Sequence, residues 1–95
     1  AEYERDPAMN EELRQGRRWL AETVLAGKPV TLGTLRLRKG LSQAQLAAAI
    51  GTQQPHIARI ENGQADVRLE TCRRIAQVLG IDLNTLDQAL RSEAD

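Results

Sequence analysis

The chain has no phenylalanine and only one residue each of tryptophan (Trp19), tyrosine (Tyr3), cysteine (Cys72) and histidine (His56). With aromatics at 2%, any hydrophobic core is built from Leu, Ile, Val and Ala. One cysteine excludes an intramolecular disulfide, and one Cys with one His falls short of a zinc ligand set, so neither metal nor cofactor is expected. Serine is almost as scarce: Ser42 and Ser92 both fall at helix-end or tail positions. His56 and Cys72 belong to different helices of opposite expected exposure, and no Gly-rich phosphate loop exists, so the chain does not read as an enzyme. No apolar run approaches the roughly 20 residues that span a bilayer, so no membrane partner is expected. Residues 1–12 are acidic, unlike a signal peptide, which points to a cytoplasmic protein. No β-branched alternating stretch is available to make a sheet.

What is present is ordinary for one globular domain: 95 residues, 41% hydrophobic and 27% charged. So small a chain buries a modest share of its surface, and a second subunit would add stability. The formal net charge of zero conceals a segregation. Residues 1–12 carry five acids against Arg5, net −4, and residues 13–27 carry three arginines against Glu22, net +2. Residues 28–68 carry six bases against Glu61 and Asp66, net +4, and residues 69–95 three bases against five acids, net −2. The basic middle permits a polyanionic partner on one face.

Helical spacing runs through the chain after an aperiodic start, and residues 1–9 are expected to fray. An additional N-terminal helix is expected over 10–27, with Asn10 as N-cap, Leu13, Leu20 and Val24 on one face, and Trp19 and Leu25 widening it. Thr31 caps a second helix with Leu32, Leu35 and Leu37, closed by Gly40. Ser42 caps a third, Gln43 to Ile50, with Leu46, Ala47 and Ile50 inward. A fourth spans Gln54 to Glu61 with Ile57 and Ile60 inward. A fifth, Leu69 to Leu79, buries Leu69, Cys72, Ile75, Ala76 and Leu79, and Gly80 ends it. The last, near Leu83 to Arg91, offers Leu83, Leu86 and Leu90. The fold expected is an all-α compact bundle of about five to six short helices.

Residues 42–63, SQAQLAAAIGTQQPHIARIENG, carry the functional signal. Ala47 is small where two helices would cross closely. Gly51 follows Ile50, where a sharp turn needs positive φ. The outer face of the fourth helix is Gln54, Pro55, His56 and Arg59, mostly donors rather than the Lys and Glu of a face chosen for solubility. This segment resembles the helix-turn-helix of the Cro/C1-type (XRE-like) regulators. The likeness rests on Ala47, Gly51, Ile57, Ile60, Glu61-Asn62-Gly63 and the preceding Arg36-x-x-x-Gly40-Leu41-Ser42-Gln43. The sequence departs from the pattern at Gln53, where Ser or Thr usually caps, at Pro55, and at Arg68, where Ser usually caps.

The resemblance implies a lambda-repressor-like domain over 31–91, with the fourth helix in the major groove of double-stranded DNA. Arg59 then suits guanine, Gln54 adenine, His56 a base or phosphate acceptor, and Pro55 a thymine methyl. By resemblance Gln43 contacts a phosphate and braces Gln54; Thr52, Gln53, Asn62, Arg38 and Lys39 are further phosphate candidates. The resemblance also makes Arg36 and Glu61 a partly buried ion pair. Each role has a plainer rival: Arg59 and His56 as solvated surface, Arg73 and Arg74 as a solvated face, Cys72 as a small buried hydrophobe. Leu13, Trp19 and Leu20, or Leu83, Leu86 and Leu90, are the candidate dimer or partner surfaces. The function expected is a homodimeric repressor on an inverted repeat, of the small stand-alone kind found on plasmids and phages. The alternative is an antitoxin that binds a toxin protein, through the N-terminal helix, and autoregulates its operon.

Overall fold

Aliphatic side chains at three- and four-residue spacing give six α-helices in the computed structural model, which describes residues 7–94, and no strand among those residues. They are α1 (Pro7–Trp19), α2 (Leu32–Arg38), α3 (Gln43–Ile50), α4 (Gln54–Glu61), α5 (Leu69–Leu79) and α6 (Leu83–Ala94). A π-helical stretch, Leu20–Val24, continues α1. Local chemistry sets most boundaries. Thr31 Oγ1 accepts from Thr34 N–H at 3.2 Å to start α2. Ser42 and Gln45 form a reciprocal capping box at α3: Gln45 N–H donates to Ser42 Oγ at 3.0 Å and Ser42 N–H to Gln45 Oε1 at 2.9 Å. Gly51 ends α3 in the left-handed region (φ 79°), and Thr52 N–H reaches back to Ala47 O at 2.9 Å.

The core lies between α2, α3, α4, α5 and α6. Leu32, Leu46, Ile57, Ile60, Ile75 and Leu86 are its fully buried large side chains, and Ala47 is buried where α3 meets its neighbours. Leu86 is therefore interior and cannot serve a dimer surface; α6 turns Leu86 and Ala89 into the core and leaves Leu90 half-buried at its edge. Leu69, expected inside, is 60% exposed, because it opens α5 at the rim of a groove shared with Leu83, Leu86 and Leu90. Cys72 is half-buried in that groove rather than enclosed. Burial, and then the nearby Asp87 charge, raise its thiol pKa above the ordinary value.

The N-terminal helix departs most from expectation. Of residues 1–9, expected to fray, 1–6 lie outside the described residues and 7–9 open α1. The start at Pro7 suits proline, whose φ is preset for a first turn. Asn10 is accordingly inside the helix and not its cap; its Oδ1 accepts from Gln45 Nε2 at 3.0 Å. Leu20 and Val24 do not turn inward. The π stretch, with Leu25 N–H bonded to Leu20 O at 3.1 Å, shifts the helical phase, so Ala21 is buried while Trp19, Leu20 and Val24 stay exposed. α1 docks instead by polar contacts on the α2–α3 turn. Arg17 Nη1 donates to Gly40 O at 3.0 Å and Gln45 Oε1 at 3.2 Å. Arg14 lies so close over Gly40 that a Cβ there would run into its Cγ.

Candidate nucleic-acid interface

The capping box fixes the first turn of α3, and Gly51 sends the chain directly into α4. The two helices thus meet with Gln43 and Gln54, the first helical residues of each, side by side: Gln54 Nε2 donates to Gln43 Oε1 at 2.7 Å. Gln43 Nε2 in turn donates to Glu61 Oε1 at 3.1 Å. Glu61 is gripped by Arg36, whose Nε and Nη2 donate to its two carboxylate oxygens at 2.7 and 3.0 Å. Arg36 Nη1 finally donates to Leu41 O at 2.8 Å. With side-chain exposures of 11% and 10%, Arg36 and Glu61 form a bidentate pair held mostly out of water. The relay Arg36–Glu61–Gln43–Gln54 therefore runs from interior to surface and ties α2, both ends of α4 and the start of α3 together.

The rest of the expected surface sorts by what holds it. Thr52 Oγ1 and His56 Nδ1 lie 3.0 Å apart, which orients the half-buried imidazole and leaves Nε2 as its outer nitrogen. Pro55 sits in the first turn of α4, where its missing N–H costs nothing, and Gln53 occupies the N-cap without a side-chain bond. Pro55, Arg59, Gln53, Asn62, Arg38 and Lys39 are exposed. The Arg59 side chain forms no hydrogen bond or ion pair among the described residues, so its guanidinium fork is available. Gln43 and Gln54 meet at the α3–α4 edge and Thr52 ties His56 to the intervening turn, whereas Lys39 Nζ extends toward Gly80 at the end of α5.

Several supporting residues escape sequence reasoning. A Cβ at Gly33, inside α2, would stand 3.2 Å from Glu61 Oε1, so this glycine makes room for the buried carboxylate. Gln45 joins the capping box to α1. Arg74, expected on a solvated face, donates through Nη1 to Ile50 O at 3.3 Å and so closes the C-terminal end of α3. The S-Q-x-Q spacing at Ser42–Gln45 signals the capping box; nothing in the sequence signals Gly33 or Arg74.

A buried ion pair, a capped helix crossed by a second one after a glycine turn, and an exposed donor edge define the helix-turn-helix class. The helix-turn-helix family model matches residues 32–86, more than half of the chain, and the chain belongs to this family in its Cro/C1-type (XRE-like) form. A helix-turn-helix-type transcriptional regulator of Haemophilus influenzae, itself uncharacterized, is 45% identical over 51 residues. The match covers 54% of this chain and 52% of that protein, so the chain spans about half the length of that relative. No helix among the described residues is long and apolar enough to cross a membrane.

Proposed function

We propose that the chain is a sequence-specific transcriptional repressor that binds an inverted-repeat operator as a homodimer, with α4 of each copy in the major groove. The observation that carries this reading is the braced Gln54. A side-chain amide has two N–H donors and one carbonyl acceptor. Gln54 spends one N–H on Gln43, and keeps the N–H and carbonyl that adenine N7 and N6–H require. The brace also costs the base contact less ordering entropy, because the side chain is held before DNA arrives. Arg59, one helical face further on, presents two parallel donors for guanine O6 and N7. His56 Nε2, Pro55, Gln53, Thr52 and Asn62 supply the remaining base and phosphate contacts, while Arg38 and Lys39, which lie away from that edge, contribute only general positive charge. Gln43 keeps one N–H for a phosphate at the start of α3.

Two copies related by a twofold axis would set their α4 helices about 34 Å apart, one turn of duplex. The α5–α6 groove suits that axis, because each copy offers both a raised Leu69 and a trough walled by Leu83 and Leu90, which is the self-complementarity an isologous contact needs. Bound across a promoter, such a dimer represses by occluding polymerase. In vitro selection from random duplex DNA at fixed, near-physiological salt tests the reading. An enriched inverted repeat supports it, and a pool with no enrichment overturns it. On the selected site Arg59→Ala weakens binding by about 1–3 kcal/mol and relaxes preference at one base pair.

The exposed Trp19, Leu20 and Val24 favour a second reading, in which the chain is an antitoxin and this strip seats a toxin. Copurification of a small basic protein, lost on Trp19→Ala, would favour the antitoxin; purification of the chain alone counts against it.

A further inference from the structure

We propose that α1 is a second DNA-backbone element, in which Arg14 and Arg18 contact phosphates flanking the stretch read by α4. The inference rests on the DNA-binding reading and extends its footprint to a helix outside the residues matched by the family. Its first support is position. Asn10 and Arg17 fasten α1 to Gln45 and Gly40, that is, to the capping box and turn that begin α3. Gln43, the phosphate candidate, is in that same first turn. A helix with its side chains is about 10 Å across, so the outer face of α1 lies within about one helix diameter of the backbone Gln43 would touch.

Its second support is charge. Arg14 and Arg18 are four residues apart and therefore share one face of α1. Both are exposed. Among the described residues the Arg14 guanidinium has one ion-pair partner, Glu11 at 4.0 Å, in a pair whose side chains are 46% and 53% exposed. The Arg18 side chain forms no ion pair or hydrogen bond among the described residues. A loose surface pair contributes little and is readily exchanged for a phosphate, which takes a guanidinium bidentately. Arg17, by contrast, donates its hydrogen bonds to the docking, whereas Arg14 lays only its aliphatic stem over Gly40 and Arg18 faces outward.

The test is the salt dependence of binding of the full chain to a mixed-sequence duplex of about 30 base pairs, over about 50–200 mM salt, because each neutralised phosphate adds about 0.9 to the slope of log K against log salt. The expected result is a slope smaller by about 1–2 for Arg14→Gln/Arg18→Gln, smaller by about 1 for Arg18→Glu, and tighter binding for Glu11→Gln. Arg18→Glu leaves the Arg14–Gly40 contact in place, so it decides the question should the double variant melt early. A wild-type slope retained by Arg18→Glu, with Arg59→Ala still weakening binding, overturns the role of α1 and leaves the DNA-binding reading standing. A wild-type chain without salt-dependent binding overturns both.

Discussion

The helices α2–α6 and the helix α1 are built from similar residues and held by different physics. In α2–α6 most leucines and isoleucines are inside, Leu69 and Leu83 at the helix starts excepted: Leu46, Ile57 and Ile75 are fully buried and share one cluster. Among the described side chains of α1 and its π stretch only Ala21 is buried, while Trp19 is 61% exposed and the docking runs through Asn10, Arg14 and Arg17. Apolar burial is non-directional and sums over area; the polar clasp depends on a few bonds with defined geometry, each contributing about 1 kcal/mol net. The first region is expected to unfold as a unit. The second is expected to open locally at lower free energy.

The largest effect should come from the core. Leu46→Ala removes a fully buried side chain where α3 packs on α4 and α5, and should cost about 3 kcal/mol, since collapse around the cavity is only partial. Thermal unfolding would show it as a drop of about 4–8 °C per kcal/mol. Leu20→Ala, at a residue 36% exposed, should move the midpoint far less. Equal shifts would erase the contrast between the two regions. Nearly as large should be Glu61→Ala, which strands Arg36 in a site about nine-tenths out of water, at about 3 kcal/mol. The exposed pair Arg91–Asp87, removed as a control, should contribute less than about 1 kcal/mol.

Much of α2–α6 is legible in the sequence because local and tertiary signals agree there. Thr31, Ser42, Gly51 and Gly80 mark ends, and Leu46, Ile57 and Ile75 at helical spacing mark the inner faces. Agreement fails where a side chain's fate depends on distant backbone. Leu86 and Leu69 both sit on apolar stripes, yet one is interior and the other at a rim, because only the reach of the neighbouring helix decides. On α1 a constant period of 3.6 carries Leu20 and Val24 inward; the i→i+5 bond at Leu25 breaks that phase, and no residue type announces it. The surface donors Gln54 and Arg59 stand out by composition. Their support does not, since Gly33, Gln45 and Arg74 act through contacts many residues away.

Gly40→Ala should separate the two regions at intermediate effect. Its φ of 78° disfavours any side chain by about 1–2 kcal/mol, and a Cβ would collide with Arg14. Hydrogen exchange should speed up through α1 while amides in α3 and α5 keep most of their protection. Loss of protection throughout would mean that α1 and the bundle are one cooperative unit. A smaller and pH-dependent effect belongs to α6. Thr85 N–H donates to Asp82 Oδ1 at 2.7 Å, and the bonds from Thr85 lower the Asp82 pKa. With the folded pKa below the unfolded one, the cap's stabilisation is present above the ordinary carboxylate pKa and is lost as pH falls through the lowered value. Asp82→Asn should flatten that acid limb, read as α6 hydrogen exchange against pH.

The smallest effect on stability and the sharpest view of the surface come from Trp19. At 61% exposed it contributes little to packing, so Trp19→Ala should change stability by less than about 0.5 kcal/mol. As the one tryptophan, it is also a reporter placed where the polar clasp ends and the uncovered apolar strip begins. Its emission should be that of a solvated indole and open to collisional quenching, in dilute protein and with DNA bound alike, if the twofold contact runs through the α5–α6 groove. A blue shift and loss of quenching on raising the protein concentration would instead put the dimer on α1. In that case Leu69→Glu would leave the dimer intact, and the apolar strip of α1 would do for assembly what the buried leucines do for the fold.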